Sequence, residues 1–140
     1  MYKKILVPVD LGEVSAASEA LKTAANMAKS SGAALRIINI QQVLPATYMD
    51  YIPADFDDKQ REWANKELAD IASSTDLPKE SVSTHLRFGG TYPEILAEAD
   101  EWGADLIVIG SHRPAMSTYL LGSTAKSVVR HATCSVLVVR

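Results

Sequence analysis

Short apolar runs alternate with helically spaced apolar positions along the whole chain. Lys3 to Val9 reads Lys-Lys-Ile-Leu-Val-Pro-Val, and Ala34 to Ile40 reads Ala-Leu-Arg-Ile-Ile-Asn-Ile. Val82 to Phe88, closed by Gly89-Gly90, Asp105 to Gly110 and Ser135 to Val139 read as the remaining strands. Continuous apolar runs rich in β-branched residues suit strands covered on both faces of a sheet. Pro8 cannot donate a ladder hydrogen bond, so it belongs at a strand end. Between the runs, Val14, Ala17, Ala20, Leu21, Ala24, Ala25 and Ala28 follow a helical period that Gly32 ends. Phe56, Trp63, Ala64, Leu68 and Ile71 make one side of a second helix over residues 56–73. Tyr92, Ile95, Leu96, Ala99 and Trp102 make the stripe of a third, which Thr91 and Glu94 would open as a capping box and Gly103 would stop. A fourth helix covers residues 123–131. Residues 41–55, with Pro45 and Pro53, read as a surface excursion.

The order is therefore β-α-β-α-β-α-β-α-β. Strands separated by helices pair in parallel through right-handed crossovers, which gives an α/β, Rossmann-like doubly wound sheet. At 140 residues, one domain over 1–140 is expected.

Composition narrows the function. The net charge of −3 offers no basic stripe for nucleic acid. No apolar run approaches the ~18–20 residues needed to span a bilayer, so no membrane role is expected. Cys134 is the only cysteine, which excludes an intramolecular disulfide. With no signal-peptide pattern at the start, these features predict a cytoplasmic protein. Cys134, before an apolar strand, reads as a small hydrophobe.

In a doubly wound sheet, ligands bind outside the carboxyl ends of the strands at the topological switch point. Three strand ends are candidates: residues 7–10, 38–40 and 109–112. Asp10 reads as an N-cap of the first helix, as a carboxylate aimed at a ligand, or as both. Residues 110–123 begin with glycine after a strand and end with Gly122-Ser123 at a helix start. Such a start suits phosphate, because its first N–H groups lack intrahelical acceptors and carry partial positive charge. A flexible loop with a Ser123 N-cap is the alternative. Neither a P-loop nor a Gly-x-Gly-x-x-Gly fingerprint is present. No His/Cys/carboxylate spacing suggests a metal site, and Ser123, His131 and Asp10 lack the context of a hydrolase triad.

At these residues the chain resembles the universal stress protein family. The likeness runs through Tyr-Lys-Lys-Ile-Leu-Val-Pro-Val-Asp at 2–10, Gly-Ala-Asp-Leu-Ile-Val-Ile-Gly-Ser-His at 103–112 and Leu-Leu-Gly-Ser-Thr-Ala-Lys-Ser-Val-Val-Arg-His at 120–131. The resemblance implies a five-stranded parallel sheet of order 3-2-1-4-5 and a homodimer. It also implies ATP, with or without Mg2+, as the bound adenine nucleotide. Asp10 and the backbone near Ile40 would hold adenine, with Pro8 and Val9 lining its pocket. Gly110 would approach the ribose, and Gly122, Ser123 and Thr124 would hold phosphates. His112 is a further candidate phosphate contact.

One branch of that family carries Gly-x2-Gly-x9-Gly-Ser/Thr. Here Arg113 stands at the second glycine, and only eight residues separate it from Gly122. A guanidinium can substitute by pairing with phosphate oxygens. The resulting expectation is a nucleotide-binding stress or regulatory protein with little turnover. No general base, P-loop lysine or second acidic metal ligand stands out. A dimeric scaffold without nucleotide and a small adenine-nucleotide-processing enzyme are the alternatives. The apolar last strand, at a sheet edge in the implied order, would carry the dimer.

Overall fold

The computed structural model of the protein describes residues 1–111 and 121–140. Five parallel strands form one sheet in the order β3-β2-β1-β4-β5. They are β1 (Lys4–Pro8), β2 (Ala34–Gln41), β3 (Val82–Phe88), β4 (Leu106–Gly110) and β5 (Ser135–Val139). Four helices connect them: α1 (Val14–Ser31), α2 (Phe56–Ser73), α3 (Thr91–Trp102) and α4 (Ser123–His131). The excursion after β2 contains a 3₁₀ turn, Ala46–Tyr51.

Strand alternation divides the core into two layers. Ile5, Val7, Leu35, Ile37, Leu106 and Val108 meet α1 and α2 on one face. Leu6, Ile38, Ile107 and Ile109 meet α3 and α4 on the other, through Ile95, Ala99, Ala125 and Val128. Both faces are thus covered, which is why these strands show no apolar–polar alternation. The five alanines of α1 that are buried let its backbone lie close to the sheet. Gly32 and Gly103 end α1 and α3 in the left-handed conformation at φ 71° and 80°, where a Cβ would be strained.

Several side chains depart from the sequence reading. Trp63 is 47% exposed and Phe56 lies at the surface, so α2 docks chiefly through Ala64, Leu68 and Ile71, with Ala72 packed partly buried beside them. Tyr92 is also at the surface, stacked on His131 with ring centroids 5.6 Å apart. The capping box of α3 does not form. Gly90 is its N-cap, and the Glu94 carboxylate instead accepts from Arg87 Nε at 3.0 Å. Glu94 thus forms a partly buried ion pair in place of the cap.

A polar network beneath α3 went unread in the sequence. Glu98 is buried, yet its carboxylate accepts from Arg36 at 3.0 Å and Arg87 at 2.9 Å and lies 2.6 Å from His85 Nδ1. Burial pushes its pKa up, but the hydrogen bonds from His85, Arg36 and Arg87 outweigh that and hold it below the ordinary 4.5. With the carboxylate ionised, the His85 contact requires the ring proton on Nδ1. Arg87 also binds Glu101 at 2.8 Å, and Arg36 lies over the Trp102 ring. A signal did exist. Glu98 lies three residues after Ile95 and four before Trp102, on the helix face read as apolar.

Cys134 packs partly buried against the α3/α4 layer, as a small hydrophobe should, and burial raises its thiol pKa.

Candidate functional site

The order β3-β2-β1-β4-β5 places the switch point between β1 and β4, where the chain first builds one side of the sheet and then the other. Pairing across that seam is short. β1 matches β2 over five residue pairs, from Lys4↔Ala34 to Pro8↔Ile38, but matches β4 only at Ile5↔Leu106 and Leu6↔Ile107.

Pro8 accounts for where the ladder stops. The Val9 N–H donates to Ile38 O at 2.8 Å, toward β2. Backbone N–H groups alternate sides along a strand, so position 8 faces β4 with no donor to offer. At the opposite end, the Asp105 carboxylate accepts from the backbone N–H of Lys3 at 2.8 Å and of Lys4 at 2.9 Å. Burial raises the Asp105 pKa, but these two N–H groups outweigh it and hold it low. The seam is clasped at its amino end and unpaired at its carboxyl end.

Several of the sequence-derived residues meet at that unpaired end. Pro8, Val9 and Asp10 leave β1 there. The Asp10 side chain is exposed, and its Oδ1 accepts from the Gly12 N–H at 2.9 Å. It does not cap α1, whose N-cap is Glu13. Asp10 Oδ2 has no hydrogen-bond partner among the described residues, so the carboxylate keeps acceptor capacity outward.

Gly110 ends β4. A Cβ added to it would lie 3.1 Å from the Ala16 carbonyl oxygen. The close approach of α1 thus already favours glycine there, since a side chain would push the helix backbone back by a few tenths of an ångström. After Gly110, the Ser111 N–H donates to Val139 O at 2.8 Å and Ser111 O accepts from the Gly122 N–H at 2.6 Å. This second bond lands the start of α4 beside the end of β4. Gly122 is the N-cap of α4, without a side-chain cap, and Ser123 and Thr124 are its first two residues. His112 and Arg113 lie outside the described residues.

Ile40 sits at the end of β2, on the α3 face. Its neighbours Asn39 and Gln41 carry a feature missed in the sequence. Buried Asn39 donates from Nδ2 to the Val9 carbonyl at 2.9 Å and accepts from Gln41, whose Oε1 accepts from Gln60 of α2 at 2.8 Å. This chain fixes the β1 and β2 ends side by side, directly before Asp10. A lone Asn inside an apolar strand was the available signal, since a buried amide must find partners. Among the described residues, no group of three or more His, Cys, Asp or Glu is arranged to hold a metal ion. No helix among them is long and apolar enough to cross a membrane.

Known proteins share this fold. The model of the universal stress protein family matches residues 1–140. Universal stress protein G of Shigella flexneri is 37% identical over 146 aligned residues, covering 100% of both chains. The structure of universal stress protein UspA from Lactobacillus plantarum superposes with a TM-score of 0.81 at 26% identity, over 99% of this chain and 98% of that one. A universal stress protein solved in complex with cAMP superposes with a TM-score of 0.66 at 25% identity, over 99% and 97%. With a family match from the first residue to the last and full-length relatives above a third identical, the chain belongs to the universal stress protein family.

Proposed function

We propose that this protein binds ATP, free or as its magnesium complex, at the unpaired end of the β1–β4 seam, in a stress-response or regulatory role with little turnover. The observation that carries the reading is the seam itself. Its ladder ends after Leu6, and Asp10 and the start of α4 follow the carboxyl ends of its two strands. The adenine nucleotide in the cAMP-bound relative supports the ligand class. Asp10 would accept from the exocyclic amine, with Pro8, Val9 and the Ile40 backbone around the base and Gly110 beside the ribose. The N–H groups of Ser123 and Thr124 suit phosphate, because a helix start carries partial positive charge; that of Gly122 is already donated to Ser111 O, so Gly122 would serve by letting the phosphates come close to the backbone. Arg113 and His112 would add donors to the phosphates. When bound, the nucleotide would bring its own charge, and the chain's part is to orient and hold it.

Calorimetric titration with ATP and AMP tests this. Asp10→Ala should weaken both nucleotides by about 1–3 kcal/mol, the cost of an unpaired donor. Arg113→Ala should weaken ATP more than AMP, with a smaller difference at high salt. Equal affinity in the Asp10 variant would remove the adenine role, and no binding by the native protein would leave a scaffold without ligand. The same protein should sediment as a homodimer built on the β5 edge, whose Ser135–Val139 run is apolar. A monomer at tens of micromolar would refute that assembly.

A further inference from the structure

The segment between β2 and the middle of α2 has no role in the reading above, yet its surface is unusual. Residues 46–63 hold four of the nine aromatic side chains, and all four are exposed: Tyr48 57%, Tyr51 85%, Phe56 36% and Trp63 47%. Their spacing groups them. Tyr48 and Tyr51 are three apart in a 3₁₀ turn, where such residues eclipse. Phe56 and Trp63 are seven apart on α2, two turns along one face.

The same segment is acidic. Residues 46–63 carry five carboxylates against two cationic side chains, and the rest of the chain carries twelve of each, so this segment accounts for the whole net charge of −3. Both local cations are engaged within the fold. Lys59 pairs with Asp55 at 3.1 Å, and the Arg61 guanidinium lies 4.3 Å from the Phe88 ring centroid. Asp50, Asp57, Asp58 and Glu62 are exposed and form no ion pair among the described residues.

We propose that residues 46–63 form a docking surface for a cationic segment of a partner protein, one rich in arginine or lysine. Ring faces attract guanidinium and ammonium groups, and the surrounding carboxylates supply the long-range attraction. Charge argues against the other occupants. A nucleic acid would bring phosphates to an acidic face, and a second copy would bring the same excess of carboxylates. The surface is separate from the nucleotide reading, so either stands without the other.

A labelled arginine octapeptide, followed by fluorescence anisotropy at low and at physiological salt, is the test. The native protein should bind it, and more weakly at the higher salt. The double variant Tyr51→Ala/Trp63→Ala leaves the charge unchanged and should lose about four- to twenty-five-fold in affinity, from about two- to fivefold per ring. If that variant misfolds by circular dichroism, Tyr51→Ala alone should lose about two- to fivefold. Asp57→Asn/Asp58→Asn should weaken binding and flatten its salt dependence. Undiminished binding by the aromatic variants would overturn the proposal, because bulk charge would then suffice. So would absence of binding by the native protein, equal binding of a single-stranded oligonucleotide, or self-association that the aromatic substitutions abolish.

Discussion

Glu98→Ala is expected to lower the unfolding free energy by about 3 kcal/mol at pH 7. Removing one partner of a buried ion pair typically costs about 3–5 kcal/mol, because the other charge stays behind unpaired. The lower end applies here. Arg87 retains Glu94 and Glu101, and Arg36 retains Ser83 and the Trp102 face. Urea unfolding with an unchanged slope would read the loss as a shifted midpoint. The pH dependence has a definite sign. Glu98 has a folded-state pKa below its ordinary 4.5, so the ionised form is favoured by folding. Its contribution is complete above that ordinary value and is lost as pH falls through the lower, folded-state one. The gap between native protein and variant should therefore close below about pH 4.5. Asp105 shifts in the same direction but is present in both proteins, so it cancels in the comparison. An identical midpoint for the two proteins at pH 7 would show that the network contributes nothing net.

Leu68→Ala should cost about 2–5 kcal/mol, whereas Trp63→Ala should cost less, on the order of 1 kcal/mol. Both residues sit on α2 and both belong to the apolar stripe read from the sequence. Leu68 is fully buried between α2 and the sheet, so its truncation leaves a cavity with fixed walls. Trp63 is 47% exposed and reaches solvent, so its loss removes partial burial and leaves no closed cavity. A large loss from Trp63→Ala in thermal or chemical unfolding would place the ring in the core and contradict this packing.

That contrast marks what the sequence could reveal. The four helices were legible as 3.6-residue repeats and the covered strands as apolar runs, whereas edge strand β3 mixes polar residues with apolar ones. Their termini, Gly32 and Gly103 among them, fell where chain chemistry demanded. The strand order came from the resemblance, since periodicity does not say which strands neighbour each other. What periodicity could not supply was direction within a broad stripe. Phe56 and Trp63 share a side of α2 with Ala64 and Leu68 but lie off its centre, so a small rotation of the helix decides their exposure. The Glu98 network was hidden for a related reason. Its members, Arg36, His85, Arg87 and Glu98, are charged or polar residues on three elements, and no pattern within one element pairs them; the sheet register does, with Ile38 opposite His85 and Ile40 opposite Arg87. At the candidate site the glycines and Asp10 were visible. The Asn39–Gln41–Gln60 chain was not, because its links join residues of two elements through side-chain amides.

Pro8 has a thermodynamic consequence for any ligand that enters the seam. A cleft between two ordinary parallel strands could zip shut when empty, and a ligand would then have to break backbone hydrogen bonds to enter. Here the missing N–H at Pro8 is covalent, so that contact cannot form in the empty protein at any ligand concentration. That one contact is absent before any ligand arrives, so binding does not have to break it.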